Sequence, residues 1–153
     1  MLAATTERVW RHTAPASNDE ITRQMREELW RCLDDGADRI DCRLEELDHE
    51  WDVERVLEVN ASLGSLLGVA LGATVDRRFF ALPAVIGAFL LQHALNGWCP
   101  PLPLLRRLGV RTQSEIERER YALKALRGDF NHTEAISGRD RAPVQQVLEA
   151  VNL

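Results

Sequence analysis

The sequence predicts an all-α protein: a transmembrane two-helix hairpin flanked by cytoplasmic amphipathic helices. Two uncharged runs, residues 59–75 and 79–105, stand back to back around Asp76-Arg77-Arg78, although charged residues make up 28% of the chain. Before the first run, apolar residues recur in steps of three and four, the spacing of one helix face. Charge is segregated as well, with acids crowding residues 27–58 and arginines following the second run.

Residues 1–18 are rich in Thr, Ala and Ser and predict a flexible tail without a secretory signal. An acidic amphipathic helix is expected over 19–56, capped by Asn18 or Asp19. Its seam runs through Ile21, Met25, Leu29 and Leu33, then Ala37, Ile40, Leu44, Leu47 and Trp51, with Gly36 as a bend. Such a stripe suits a helix lying on its neighbours or a coiled coil with another copy.

The hairpin is expected over 57–98. A helix over 59–75 covers about 25 Å, short of the roughly 30 Å hydrocarbon layer, so it should recruit Val56 and Leu57. Pro83 falls early in the second span, where a missing N–H costs least. The short turn requires antiparallel packing. Trp98 suits a membrane interface, and Arg106, Arg107 and Arg111 suit contact with lipid headgroups and an arm-side cytoplasmic orientation. The Pro/Arg-rich segment 99–113 is expected to lie extended along the interface. A basic helix over 114–128 opens on the capping-box pair Ser114 and Glu117, and residues 129–153 predict a loop and a short last helix.

Gly64, Gly68 and Gly72 form a groove that admits a close helix, with Ala84 and Ala88 as the matching small face on the second span. The groove seats either the second helix of the same hairpin or another protomer, which would make a homodimer. Gln92 and His93 are an intramembrane polar pair, readable as interfacial hydrogen bonders or as a site of proton transfer or ligation. Cys99 is the thiol nearest the membrane. Arg106 and Arg107 could stabilise its thiolate, or it could be an inert apolar residue.

Cys32, Cys42 and Cys99 lack metal or redox spacing, and Asp34, Asp35, Asp38 and Asp41 lack the pattern of a calcium loop. No phosphate loop or nucleophile elbow is present, so no metal, cofactor or catalytic constellation is expected. Acids alternate with the basic arm's charges and aromatic residues are scarce, which argues against nucleic acid.

The run from Gly64 to Val75, the turn, Phe79-Phe80, the apolar second span and Gly97-Trp98-Cys99 resemble the YgaP-like, rhodanese-associated inner-membrane domain, long catalogued as a domain of unknown function. The following Pro-Pro-Leu-Pro-Leu-Leu-Arg-Arg-Leu-Gly, with Arg111-Thr112 and the stretch from Tyr121 to Phe130, is similar to a stand-alone bacterial branch of it. The resemblance spans residues 40–130. It implies a hairpin in the bacterial inner membrane, often dimeric, with both termini cytoplasmic. The family's associated sulfurtransferase has no counterpart here, because acids surround Cys32; only Cys99 matches a cysteine of the membrane portion.

The leading expectation is a non-enzymatic membrane anchor and oligomerisation hairpin, whose partners are the lipid bilayer, a second copy and a cytoplasmic protein. A sulfur-relay or redox accessory using Cys99 and a soluble helical bundle are the alternatives.

Overall fold

A computed structural model describes residues 6–130, and every element among them is helical. In order these are α1 (Arg8–Arg11), α2 (Pro15–Asp35), α3 (Ala37–His49), α4 (Val53–Thr74), a 3₁₀ turn (Arg77–Phe80), α5 (Ala81–Asn96), α6 (Leu102–Arg107) and α7 (Gln113–Arg127). The all-α class is as expected. The short last helix expected after residue 130 lies outside the described residues.

The described residues divide into two compact units, the first holding residues 6–23 and 51–114, the second residues 24–50 and 115–130.

In the first unit, α4 starts four residues before the expected hairpin boundary. The Asp52 side chain accepts from the Arg55 backbone N–H at 2.7 Å, satisfying one unpaired first-turn donor. The helix thereby gains Val56 and Leu57. It ends beside Asp76, whose carboxylate accepts from the Arg78 N–H at 2.8 Å and sets the reversal. α5 stops at Gly97, whose φ of +76° suits glycine. A Cβ there would lie 2.6 Å from the Arg8 carbonyl carbon, so close approach requires glycine as well. Val9, Val53, Leu57, Cys99 and Leu102 form the unit's buried cluster, with Trp98, Leu105 and Val110 packed on it.

Three expectations for this unit are corrected. The flexible tail is not seen over residues 6–18, which contain α1 and the start of α2, with Val9, Thr13 and Asn18 buried. The cause is a side-chain clamp: Arg106 donates to Thr13 Oγ1 at 3.1 Å, Asn18 Oδ1 at 2.9 Å and the Val110 carbonyl at 3.0 Å. Asn18 in turn donates to the Trp10 carbonyl. The segment 99–113 is not extended throughout, because α6 forms within it. Pro101 and Pro103 fall at its start, where a helix needs no N–H. The second span begins as a 3₁₀ turn before α5 takes over.

In the second unit, Cys32, Ile40, Leu44, Leu47, Ile116 and Leu123 make one buried cluster with Leu29 against it. The expected single acidic helix over 19–56 is instead divided. Gly36 takes φ +90°, a conformation that ends α2 and precedes the start of α3. After Gly36 the seam holds through Ile40, Leu44 and Leu47. Before it, Cys32 rather than Leu33 turns inward and Leu33 is exposed, and at the far end of the seam Trp51 is exposed as well. The acidic face pairs with the basic helix: Arg43 bridges Glu46 and the fully buried Glu119 at 2.7 and 2.8 Å, and Arg127 joins Asp41 and Asp129 at 2.6 Å. α7 starts one residue before the expected cap, so Ser114 lies inside it, its hydroxyl 3.1 Å from that of Thr112.

Candidate functional site

The chemistry-bearing surface is the pair of apolar helices in the first unit. α4 and α5 are each part of a helical stretch long and apolar enough to cross a membrane, and little of either apolar stretch is buried inside the protein. Leu63, Leu66, Leu67 and Val69 on α4, and Val85, Phe89, Leu91 and Leu95 on α5, all face outward. Water would disfavour such a surface at roughly 25 cal/mol per Å². An apolar solvent imposes no such cost.

The glycines account for how the helices meet. A Cβ on Gly64 would sit 2.9 Å from Ile86 Cδ1, one on Gly68 2.7 Å from Pro83 Cδ, and one on Gly72 2.9 Å from the Phe80 ring. As position rises along α4 the contact falls along α5 and the turn before it, so the two helices run antiparallel. Gly64, Gly68 and Gly72 thus face side chains of the same chain. Ala84 and Ala88 do not form the opposing face as expected; they are exposed, and Pro83 and Ile86 fill the groove instead. The physical reason is angular. Residues 82, 83 and 86 share one α5 face, and Ala84 and Ala88 lie on another.

His93 is buried at 6% exposure, and neither ring nitrogen meets a hydrogen-bond partner among the described residues. Gln92 beside it is half-buried. Near it, Arg8 donates to the Ala94 carbonyl at 2.7 Å and lies 3.7 Å from the Glu54 carboxylate.

Cys99 is 3% exposed, and burial pushes its thiol up from the ordinary range. Of the two arginines that could stabilise its thiolate, Arg106 is committed to Thr13, Asn18 and Val110. Cys32 is likewise buried and raised, first by desolvation and then by the Glu28 charge. Of the residues expected at the headgroups, Arg106 and Arg111 are buried, Trp98 is half-buried on the core cluster, and Arg107 alone is exposed. Sequence reasoning missed the Arg106 clamp. Thr13 and Asn18 were its only trace, and their distance along the chain hid it. Among the described residues no group of His, Cys, Asp and Glu could hold a metal ion.

An apolar groove of about 470 Å³ lies between the helix pair and the proline segment, lined by Asn60, Ala61, Ile86, Leu90, Pro101 and Leu104 among others. Compared with known proteins, the chain matches no family model, and neither a curated protein nor a solved structure matches it.

Proposed function

We propose that the protein is a small, non-enzymatic membrane protein of the bacterial inner membrane, anchored by α4 and α5 with both termini in the cytoplasm. The observation that carries this reading is the outward apolar surface of both helices, from Leu63 to Val69 and from Val85 to Leu95. Two such helices joined by the short reversal over residues 75–80 return the chain to its starting side. Arg55, Arg106, Arg107 and Arg111 flank the ends, against Arg77 and Arg78 at the turn, which supports a cytoplasmic location for the ends. Membership of the YgaP-like family is part of the proposal and rests on the order and spacing of Gly64 to Val75, Phe79-Phe80 and Gly97-Trp98-Cys99.

The role of the anchor is to display the second unit to a cytoplasmic protein. α3 and α7 bury much of their apolar seams on each other; among the described residues of this unit Trp30, 63% exposed, and Leu33, one turn on, are the exposed apolar pair on α2, with Tyr121 and Leu126 exposed separately on α7. A homodimer, if formed through small residues, would use the exposed Ala84, Gly87 and Ala88 rather than the filled glycine groove.

Alkaline carbonate extraction tests the anchor. The chain is expected in the pellet, and recovery from the supernatant without detergent would place it among soluble bundles. Photo-crosslinking from position 30 in cells tests the display surface. A discrete adduct that Leu33→Glu removes is expected, and an adduct pattern unchanged by that substitution would refute the site.

A further inference from the structure

Building on the membrane reading, we propose that the groove between α4, α5 and the proline segment holds one acyl chain of an anionic phospholipid whose phosphate sits at Arg107. The walls are apolar, from Ile86 and Leu90 on α5 to Pro101 and Leu104 at the other end. Phe89, Leu90 and Leu104 are exposed, so the groove opens onto the same surface that faces lipid. At about 470 Å³ it is within the range of small-molecule sites, whereas three turns of a partner helix would fill roughly 1,500 Å³. A flexible hydrocarbon chain fits and a helix does not.

Polar groups stand where a phospholipid needs them. Asn60, on the groove wall, gives one amide N–H to the Val56 carbonyl at 2.7 Å and has a second N–H for a glycerol ester oxygen. Arg107 is one helical turn beyond Leu104 on the same face of α6, exposed and without an acidic partner among the described residues. Its neighbour Arg106 is buried and committed elsewhere, so the attraction for phosphate at this end of the groove falls on Arg107. A guanidinium reads phosphate oxygens through paired N–H groups.

The test uses the full chain in vesicles of equal phosphatidylglycerol and phosphatidylcholine, extracted in mild detergent, with retained lipid counted by native mass spectrometry. The chain is expected to keep phosphatidylglycerol over phosphatidylcholine by about fivefold, the effect of one basic side chain at an anionic surface. Arg107→Gln should abolish the preference while lipid is still retained, and Arg77→Gln, at the far turn, should change nothing. Ala61→Phe fills the groove and should lose both lipids. Leu104→Glu, at a 60% exposed position, should give the same loss even where Ala61→Phe fails to insert. A preference that survives Arg107→Gln, or retention that survives Leu104→Glu, overturns the proposal. So does an Ala61→Phe chain that keeps its lipid but changes oligomeric state, which would assign the groove to a second copy. A chain left in the carbonate supernatant defeats the membrane reading and this one together. A chain that inserts without a lipid preference defeats this one alone.

Discussion

Arg106 holds three acceptors at once: a hydroxyl, an amide oxygen and a backbone carbonyl. A lysine ammonium carries charge but not the planar fork, so Arg106→Lys should loosen the segment over α1 and the start of α2. The expected cost is about 1.5–3 kcal/mol, read as a lower melting temperature and faster amide exchange at residues 8–18. The glycines give a paired prediction. Gly68→Ala drives a Cβ to 2.7 Å from Pro83 and should cost about 1–3 kcal/mol in the detergent-solubilised chain. Gly87→Ala meets no atom within 4 Å and should be neutral or stabilising by up to about 1 kcal/mol. Equal effects of the two would show that the glycine contacts do not hold α4 to α5. The thiols separate in the same way. Cys42 is exposed, whereas burial raises Cys32 and Cys99, so a maleimide at neutral pH should label Cys42 first and the other two only after unfolding. Fast labelling of Cys99 in the folded chain would return weight to sulfur chemistry.

Elements were legible wherever one local pattern decided them. The uncharged runs marked α4 and α5, the three- and four-residue steps marked α3, the capping-box pair marked α7, and Gly36 marked a bend where the fold has a full break between α2 and α3. What stayed hidden depended on contacts distant in sequence. The N-terminal segment lacks an apolar period of its own and is ordered by Arg106, more than eighty residues away. α6 forms where the sequence predicts an extended segment, because prolines that break a helix interior break nothing at a first turn. The groove was invisible for the same reason, since Asn60, Ile86 and Pro101 meet only after the chain folds back. At this scale the ion pairs also make a pH prediction. Hydrogen bonds from Arg43 and then Arg39 hold the Glu46 carboxyl down at about 2, against an ordinary value of 4.5. A carboxylate with a lowered folded value contributes stability that is fully present above 4.5 and is lost as pH falls towards 2. Arg127 lowers Asp129 in the same sense. The melting temperature should therefore fall through that acid window, and Glu46→Gln should flatten the fall. An equally steep fall in Glu46→Gln would show that the pairs around Glu46 are too well solvated to matter.

For the whole molecule, the distribution of arginines bears on orientation in the bilayer. The positive-inside rule weighs basic residues close to the spans, and burial in the fold does not remove them from that sum, because orientation is chosen during insertion, before Arg106 and Arg111 find their acceptors. The ends of the helix pair therefore outweigh the turn, where Asp76 accompanies Arg77 and Arg78. In spheroplasts, an impermeant maleimide should label Arg78→Cys in a Cys42→Ser background and should reach native Cys42 only after lysis. The sign can also be reversed by design. Replacing Arg55 and Arg107 with Gln while adding two arginines beside Asp76 should move a measurable fraction of chains to the opposite orientation, exposing Cys42 in intact spheroplasts. Two side chains near the headgroups are worth roughly 2 kcal/mol of that choice, enough to shift a modest preference. Cys42 labelled from outside in the unaltered chain would invert the topology, place the second unit outside the cytoplasm and remove its proposed partner. Protection of Arg78→Cys and Cys42 alike would mean that α4 and α5 enter the membrane from one side without crossing it.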